Sequence, residues 1–105
     1  MKVVYIIGKY SDESHDAVVK NMRKAQMKAV ELAELGYCVI TPHSNFMLHD
    51  ISVGYEGIMK QCYELIKKSD LVYVLDNWRS SKGSKKEIAL AQKLKKNVLW
   101  QEKGA

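Results

Sequence analysis

Four short apolar runs punctuate the chain, and they constrain its fold more than any other feature. They are Val3-Val4-Tyr5-Ile6-Ile7, Tyr37-Cys38-Val39-Ile40, Leu71-Val72-Tyr73-Val74-Leu75 and Val98-Leu99-Trp100. Each is continuously apolar rather than alternating, the pattern of strands covered on both faces. Segments of helical period separate them. From Ser14 to Leu35, residues Val18, Met22, Ala25, Ala29 and Leu32 recur at steps of three and four, and Gly36 closes the stretch. From about Tyr55, Ile58, Cys62, Leu65 and Ile66 share a face until Ser69-Asp70. A third helix is expected from about Ser84 to Lys96, with Ile88, Ala91 and Leu94 inward. Residues 43 to 54 show no clear period and read as a long loop or irregular lid.

The resulting order, βαβαβαβ, predicts an α/β fold with a parallel sheet and helices on both faces. Right-handed crossovers leave few arrangements. The expected one is a small doubly wound sheet of about four strands, Rossmann- or flavodoxin-like, in the order 2-1-3-4. At 105 residues the chain is too short for two independent cores, so residues 1–105 read as one domain. The switch point of such a sheet lies between its first and third strands. Ligands bind there, outside the C-terminal strand ends. Two loops meet at that point: Gly8-Lys9-Tyr10-Ser11, and Asp76 to Gly83.

Composition removes several function classes. No apolar run approaches the ~20 residues of a membrane span. The apolar N-terminal run is too short for a signal sequence and lacks a small-residue cleavage site, so a cytoplasmic protein is expected. Cys38 and Cys62 form no CxxC and no zinc-ligand spacing with histidine, which suggests two reduced, buried thiols and no metal. Lys and Arg total 17 against 12 acidic residues, a formal charge of +5 that would attract a small anion. Six lysines lie between Lys82 and Lys96, but Arg23 and Arg79 are the only arginines and few aromatics interleave. A solvated helix face explains these lysines better than a nucleic-acid footprint.

The first loop carries one glycine, so neither GxGxxG nor GxxxxGK[ST] is present. A nicotinamide cofactor or P-loop nucleotide is not expected, and no other cofactor is implied. Gly8 either permits close approach of a ligand or simply turns the chain, with Lys9 and Tyr10 beside it. In the second loop Ser80, Ser81, Gly83 and Ser84 lead into a helix N-terminus. Hydroxyls, a glycine and free N–H groups at a positive helix end suit a phosphate, although Ser84 alone would serve as a cap. Glu87, read as lying in the first helical turn, has a structural option through the helix dipole and two chemical ones, nucleophile or base. Trp78 and Tyr10 either stack on a base or sugar or cover the loop. His43 follows Pro42 at the binding edge. It and the other imidazoles, His15 and His49, have no evident catalytic partner in the sequence.

These residues carry a resemblance. Tyr5-Ile6-Ile7-Gly8-Lys9-Tyr10, Ser69-Asp70-Leu71-Val72-Tyr73-Val74 and the stretch Ser81 to Ala91 resemble the nucleoside 2-deoxyribosyltransferase superfamily over nearly the whole chain. A Ser six residues and a Gly four residues before a helix-borne Glu is similar to its deoxynucleoside 5'-monophosphate N-hydrolase branch. Asn21 with Ala25, Pro42-His43 and Trp78 before Ser81 look more like small phage and bacterial relatives. The resemblance implies that Ser81 and Gly83 hold a 5'-phosphate and that Glu87 is the nucleophile. It also implies that an adjacent subunit completes the site, hence a homo-oligomer, dimer or higher. The characterised enzymes carry an aspartate where this chain has Cys62, which leaves Asp76 or Asp50 as the second carboxylate.

The expected function is therefore binding of a nucleotide or nucleoside with cleavage or transfer of its N-glycosidic bond. Glu87 and Asp76 would be catalytic, and Gly8, Lys9, Tyr10, Trp78, Ser81, Gly83 and Ser84 would bind the ligand. The competing expectation is a non-catalytic module that senses or sequesters such a ligand. If the lysines only solvate a helix, duplex DNA will bind weakly, with a steep loss of affinity in salt. Fluorescence anisotropy at low and physiological salt checks this, and tight, sequence-selective binding at physiological salt contradicts it.

Overall fold

Strand β1 (Val3–Ile7) occupies an interior position in a parallel sheet. The computed structural model describes residues 1–45 and 50–102, with side chains described except at 44, 45 and 50–53. β1 pairs with β2 (Cys38–Ile40) on one side and β3 (Leu71–Val74) on the other, and β4 (Asn97–Trp100) pairs with β3. The order β2-β1-β3-β4 is the one that the sequence pattern predicts. The register sets Tyr5 opposite both Ile40 and Val72, and Ile7 opposite Val74.

Helix α1 (His15–Glu34) begins where the Ser14 side chain accepts the Ala17 N–H at 3.1 Å. Asp16 lies in its first turn, where the helix dipole favours an acid. It ends before Gly36, whose φ of 98° is left-handed and open to glycine at no steric cost. Helix α3 (Asp50–Lys68) and helix α4 (Lys82–Lys93) lie across the sheet from α1. The pleat sorts the strand side chains between the two layers. Tyr5, Ile7, Val72 and Val74 pack with Cys62 and Ile66 of α3 and Ile88 and Ala91 of α4. Val4, Ile6, Leu71 and Leu75 pack with Ala25 and Leu32 of α1. Each fully buried aliphatic side chain contributes about 1.5–3 kcal/mol, so the interior strands anchor both layers.

Local departures from the sequence reading have physical causes. The 43–54 segment is not wholly loop: helix α2 (Pro42–Asn45) starts it, with Pro42 at a first helical position where its missing N–H costs nothing. α3 begins at Asp50, and Gly54 (φ 73°) breaks its helical path. His49 lies outside the described residues. α4 begins at Lys82, two residues before the expected start, because Ser81 rather than Ser84 is its cap. Ser81 Oγ accepts the Ser84 N–H at 3.1 Å. Cys38 is exposed, since β2 is a three-residue edge strand. Leu94 is also exposed, because it terminates α4 instead of continuing its inner face. No described helix is long and apolar enough to cross a membrane.

Gly8 follows β1, and a Cβ there would lie 2.5 Å from Leu75 Cδ1 and 3.2 Å from Leu75 Cβ. Leu75 is fully buried in the core layer under α1, so a shift of its side chain would disturb that packing. The glycine is therefore demanded by close packing. Gly8→Ala will cost about 1–3 kcal/mol of stability, the usual penalty of overpacking. Urea unfolding measures this, and a double-mutant cycle with Leu75→Ala will show favourable coupling as the clash is relieved.

Candidate functional site

A cavity of about 710 Å³ opens at the C-terminal edge of the sheet. Its floor is Tyr5 and Gly8 of the β1 end, and His43 closes the β2 side. Met59 and Cys62 come from α3, and Ser81, Gly83, Ser84 and Glu87 from the cap and first turns of α4. The switch point thus becomes a pocket because α3 and α4 cover the same sheet face on which Tyr5 projects.

Glu87 sits in the second turn of α4, one turn deeper than its expected place. It is only 7 % exposed, and the Tyr5 hydroxyl donates a hydrogen bond to its Oε2. Burial raises its pKa to about 7, with the Tyr5 hydrogen bond acting in the opposite direction. The carboxyl therefore titrates near neutrality, unusual for a surface glutamate and useful for a reacting group. Tyr5 is held protonated, its pKa raised first by burial and then by the Glu87 charge. Burial, and then the same charge, push the Cys62 thiol up to about 11, so it stays neutral and is a poor nucleophile.

Ser81 spends one lone pair on capping α4, which leaves its O–H to donate elsewhere. Ser84 is buried, and its Oγ has no hydrogen-bond partner. Gly83 leaves the adjacent wall bare, with Tyr55 and Met59 at van der Waals distance from the position of a Cβ. Two hydroxyls beside the N-terminal turn of a helix suit an anionic or hydroxyl-bearing group.

Of the residues singled out in the sequence, Gly8, Tyr10, Ser81, Gly83, Ser84 and Glu87 line this one cavity. Lys9, Trp78 and Asp76 are not among its lining residues. The Lys9 ammonium lies 3.5 Å from Asp12, and its N–H donates to Asn77 Oδ1. Trp78 packs against Trp100, with ring centroids 5.6 Å apart, and the Arg79 guanidinium lies over it. Asp76 forms an ion pair with Lys24, and its N–H donates to Gln101. Among described side chains Glu87 is the only carboxylate lining the cavity. The Asp50 side chain lies outside the description. Sequence reasoning missed Tyr5 and set Cys62 and His43 aside as structural. Tyr5 is a polar residue inside an otherwise aliphatic strand, and that was the available signal.

The chain belongs to a family described as a domain of unknown function, DUF4406, whose profile matches residues 2–100. Among solved structures, the fold matches a 2-deoxyribosyltransferase from the psychrotolerant bacterium Bacillus psychrosaccharolyticus with a TM-score of 0.72. The two share 20% identity, and the match covers 93% of this chain and 70% of the other. No curated protein matches the sequence.

The raised Glu87 pKa has a stability consequence. The folded state holds this proton more tightly than the unfolded chain, where the value is near 4.5. The contribution is therefore full below pH 4.5 and is lost as pH rises to about 7. The span corresponds to roughly 3 kcal/mol. Glu87→Gln, which keeps an acceptor for Tyr5, will be more stable than wild type at about pH 8 and nearly equal to it near the unfolded pKa. Denaturant midpoints at the two pH values measure the difference.

Proposed function

We propose that this protein binds a nucleoside or nucleotide and cleaves or transfers its N-glycosidic bond, with Glu87 as nucleophile. The observation that carries this reading is Glu87 itself. It is a buried carboxylate held by a phenol at the wall of a cavity whose other side offers two hydroxyls and a helix N-terminus. The structural neighbour described as a 2-deoxyribosyltransferase supports the reading at the level of the fold.

In the first step a Glu87 oxygen attacks the anomeric carbon, and the bond from that carbon to the base nitrogen breaks. The base leaves with the bonding electrons and takes a proton from solvent. Water or a second base then displaces the carboxylate, so the anomeric configuration is retained, as in two-step glycosidases. Ser81, Gly83 and Ser84 hold the phosphate or sugar 5' end, and Tyr10 flanks the sugar or base. Glu87 must be ionised to attack, so turnover will rise as pH passes through its pKa. A homo-oligomer, dimer or higher, belongs to the same reading. It is supported by exposed Met27 and Val30, which are one turn apart on α1.

One observation favours a second reading, a binding module without chemistry. Cys62 stands where the characterised enzymes carry an aspartate, and Asp76 is paired with Lys24. Incubation of the full chain with deoxy- and ribonucleoside 5'-monophosphates, followed by chromatography for free base, separates the two. The enzyme reading expects base release that Glu87→Gln abolishes, while ligand affinity stays within about tenfold, or ~1.4 kcal/mol. Ser81→Ala is expected to weaken binding while chemistry persists more slowly. Tight binding with no base release by wild type would leave the binding module. Wild-type turnover by Glu87→Gln would remove the nucleophile assignment.

A further inference from the structure

We propose that the outer face of α1 pairs antiparallel with α1 of a second copy of this chain, so that Met27 packs on Val30 of the partner subunit and Arg23 forms an ion pair with Glu34 of the partner subunit. The inference rests on the homo-oligomer of the functional reading and gives it an interface.

Most of the exposed large apolar side chains have a local account. Tyr55 lines the cavity, Trp100 packs on Trp78, Leu35 and Leu94 end helices, and Leu99 lies on the edge strand β4. Met27 and Val30 have none. They are 68 % and 58 % exposed in the body of a 20-residue helix. That helix buries Ala25 and Leu32 against the sheet. At about 100° per residue, Met27 and Val30 fall on the opposite side, along the ridge that faces away from the sheet. Arg23 and Glu34 continue this ridge in the two directions. Positions 23, 27, 30 and 34 are spaced by four, three and four, the spacing of a coiled-coil seam. Both charged residues are exposed, and among the described residues neither has an ion-pair partner.

The order of charges along the ridge selects the partner and its direction. A two-fold axis midway between Met27 and Val30 sets each of these against the other across the pair. The same axis sets Arg23, four residues before Met27, against Glu34, four residues after Val30. Both copies make the same contacts, so every charge on the ridge from 23 to 34 meets its opposite. A parallel pair would instead set Arg23 against Arg23 of the partner subunit and Glu34 against Glu34 of the partner subunit, which repel. The cation is also of the type suited to a shared contact, because a guanidinium meets a carboxylate through two donors. Arg23 and Arg79 are the only arginines among 17 basic residues, and Arg79 is taken by Trp78. Since α3 and α4 wall the cavity on the other face of the sheet, this contact leaves those walls to a single chain.

Sedimentation of the full chain over a concentration series tests the pairing. Wild type should form a dimer. Arg23→Glu and Glu34→Arg should each weaken it by about tenfold or more, since each sets like charges together twice. An equimolar mixture of the two variants should regain dimers to within about threefold of wild type, because both ion pairs then have opposite signs. The double variant, Arg23→Glu with Glu34→Arg, should regain them alone. Neither recovery is possible for chains that have failed to fold, so the pattern separates the contact from a loss of stability. Single variants that weaken the dimer with no recovery in the mixture or the double variant overturn the antiparallel register. An oligomer that both single variants leave within about twofold of wild type overturns this interface alone, and assembly then uses another face. A chain that stays monomeric up to about 1 mM overturns the interface together with the homo-oligomer. None of these outcomes alters the assay for base release, which tests the reading of the cavity by itself.

Discussion

A carboxylate has been taken out of water beneath α4 and given the Tyr5 phenol as its hydrogen-bond donor, and the site depends on that contact. Desolvating a carboxyl group is costly, and one neutral hydrogen bond offsets only part of the cost. The remainder appears as a pKa near 7 rather than near 4.5. Such a group persists only where surrounding packing is strong enough to hold it. Here the packing comes from β1, which contributes Tyr5 to the α3–α4 layer and Val4 and Ile6 to the α1 layer. The strand that gives Glu87 its partner thus joins both cores.

The same strand's end shapes the cavity. The Gly8 side facing α1 is filled by Leu75, so a side chain there would force Leu75 to shift, and the Gly8 carbonyl accepts from His43. One residue therefore joins the end of β1 to the segment after β2 without intruding on the pocket. On the other wall Ser81 caps α4 and so positions Gly83, Ser84 and Glu87 as successive parts of one helix. A single cap sets both where the hydroxyls sit and how far from them the carboxylate lies.

The cavity is also defined by the charges it excludes. Cys62 lies close enough to Glu87 and Tyr5 to feel both, yet its thiol stays neutral, because burial and the Glu87 charge oppose ionisation. A second carboxylate there would repel Glu87 and push one of the two pKa values still higher. With Cys62, Glu87 titrates without an acidic neighbour. Asp76 is neutralised instead by Lys24. The site consequently carries one ionisable carboxyl among described lining residues.

Much of this was legible in the sequence because burial has a period. Continuous apolar runs identified the interior strands, and steps of three and four identified the inner helix faces. Parallel pairing with right-handed crossovers then left the order β2-β1-β3-β4. Ser81, Gly83, Ser84 and Glu87 were recognisable as a group because one helix start sets their spacing. The tertiary structure alone decided which long-range neighbours each side chain meets. Tyr5 reads as one more strand residue until the pleat and the position of α4 bring it to Glu87, 82 positions away. Trp78 and Asp76 lie in the expected loop, but their side chains are taken by Trp100 and Lys24, which no local pattern announces. His43 was visible as an imidazole at the right edge. Its bond to the Gly8 carbonyl, and so its tautomer, exists only once β1 and the β2 end lie side by side. Local periodicity determines where the backbone goes, whereas proton positions and pairing depend on contacts between residues far apart in the chain.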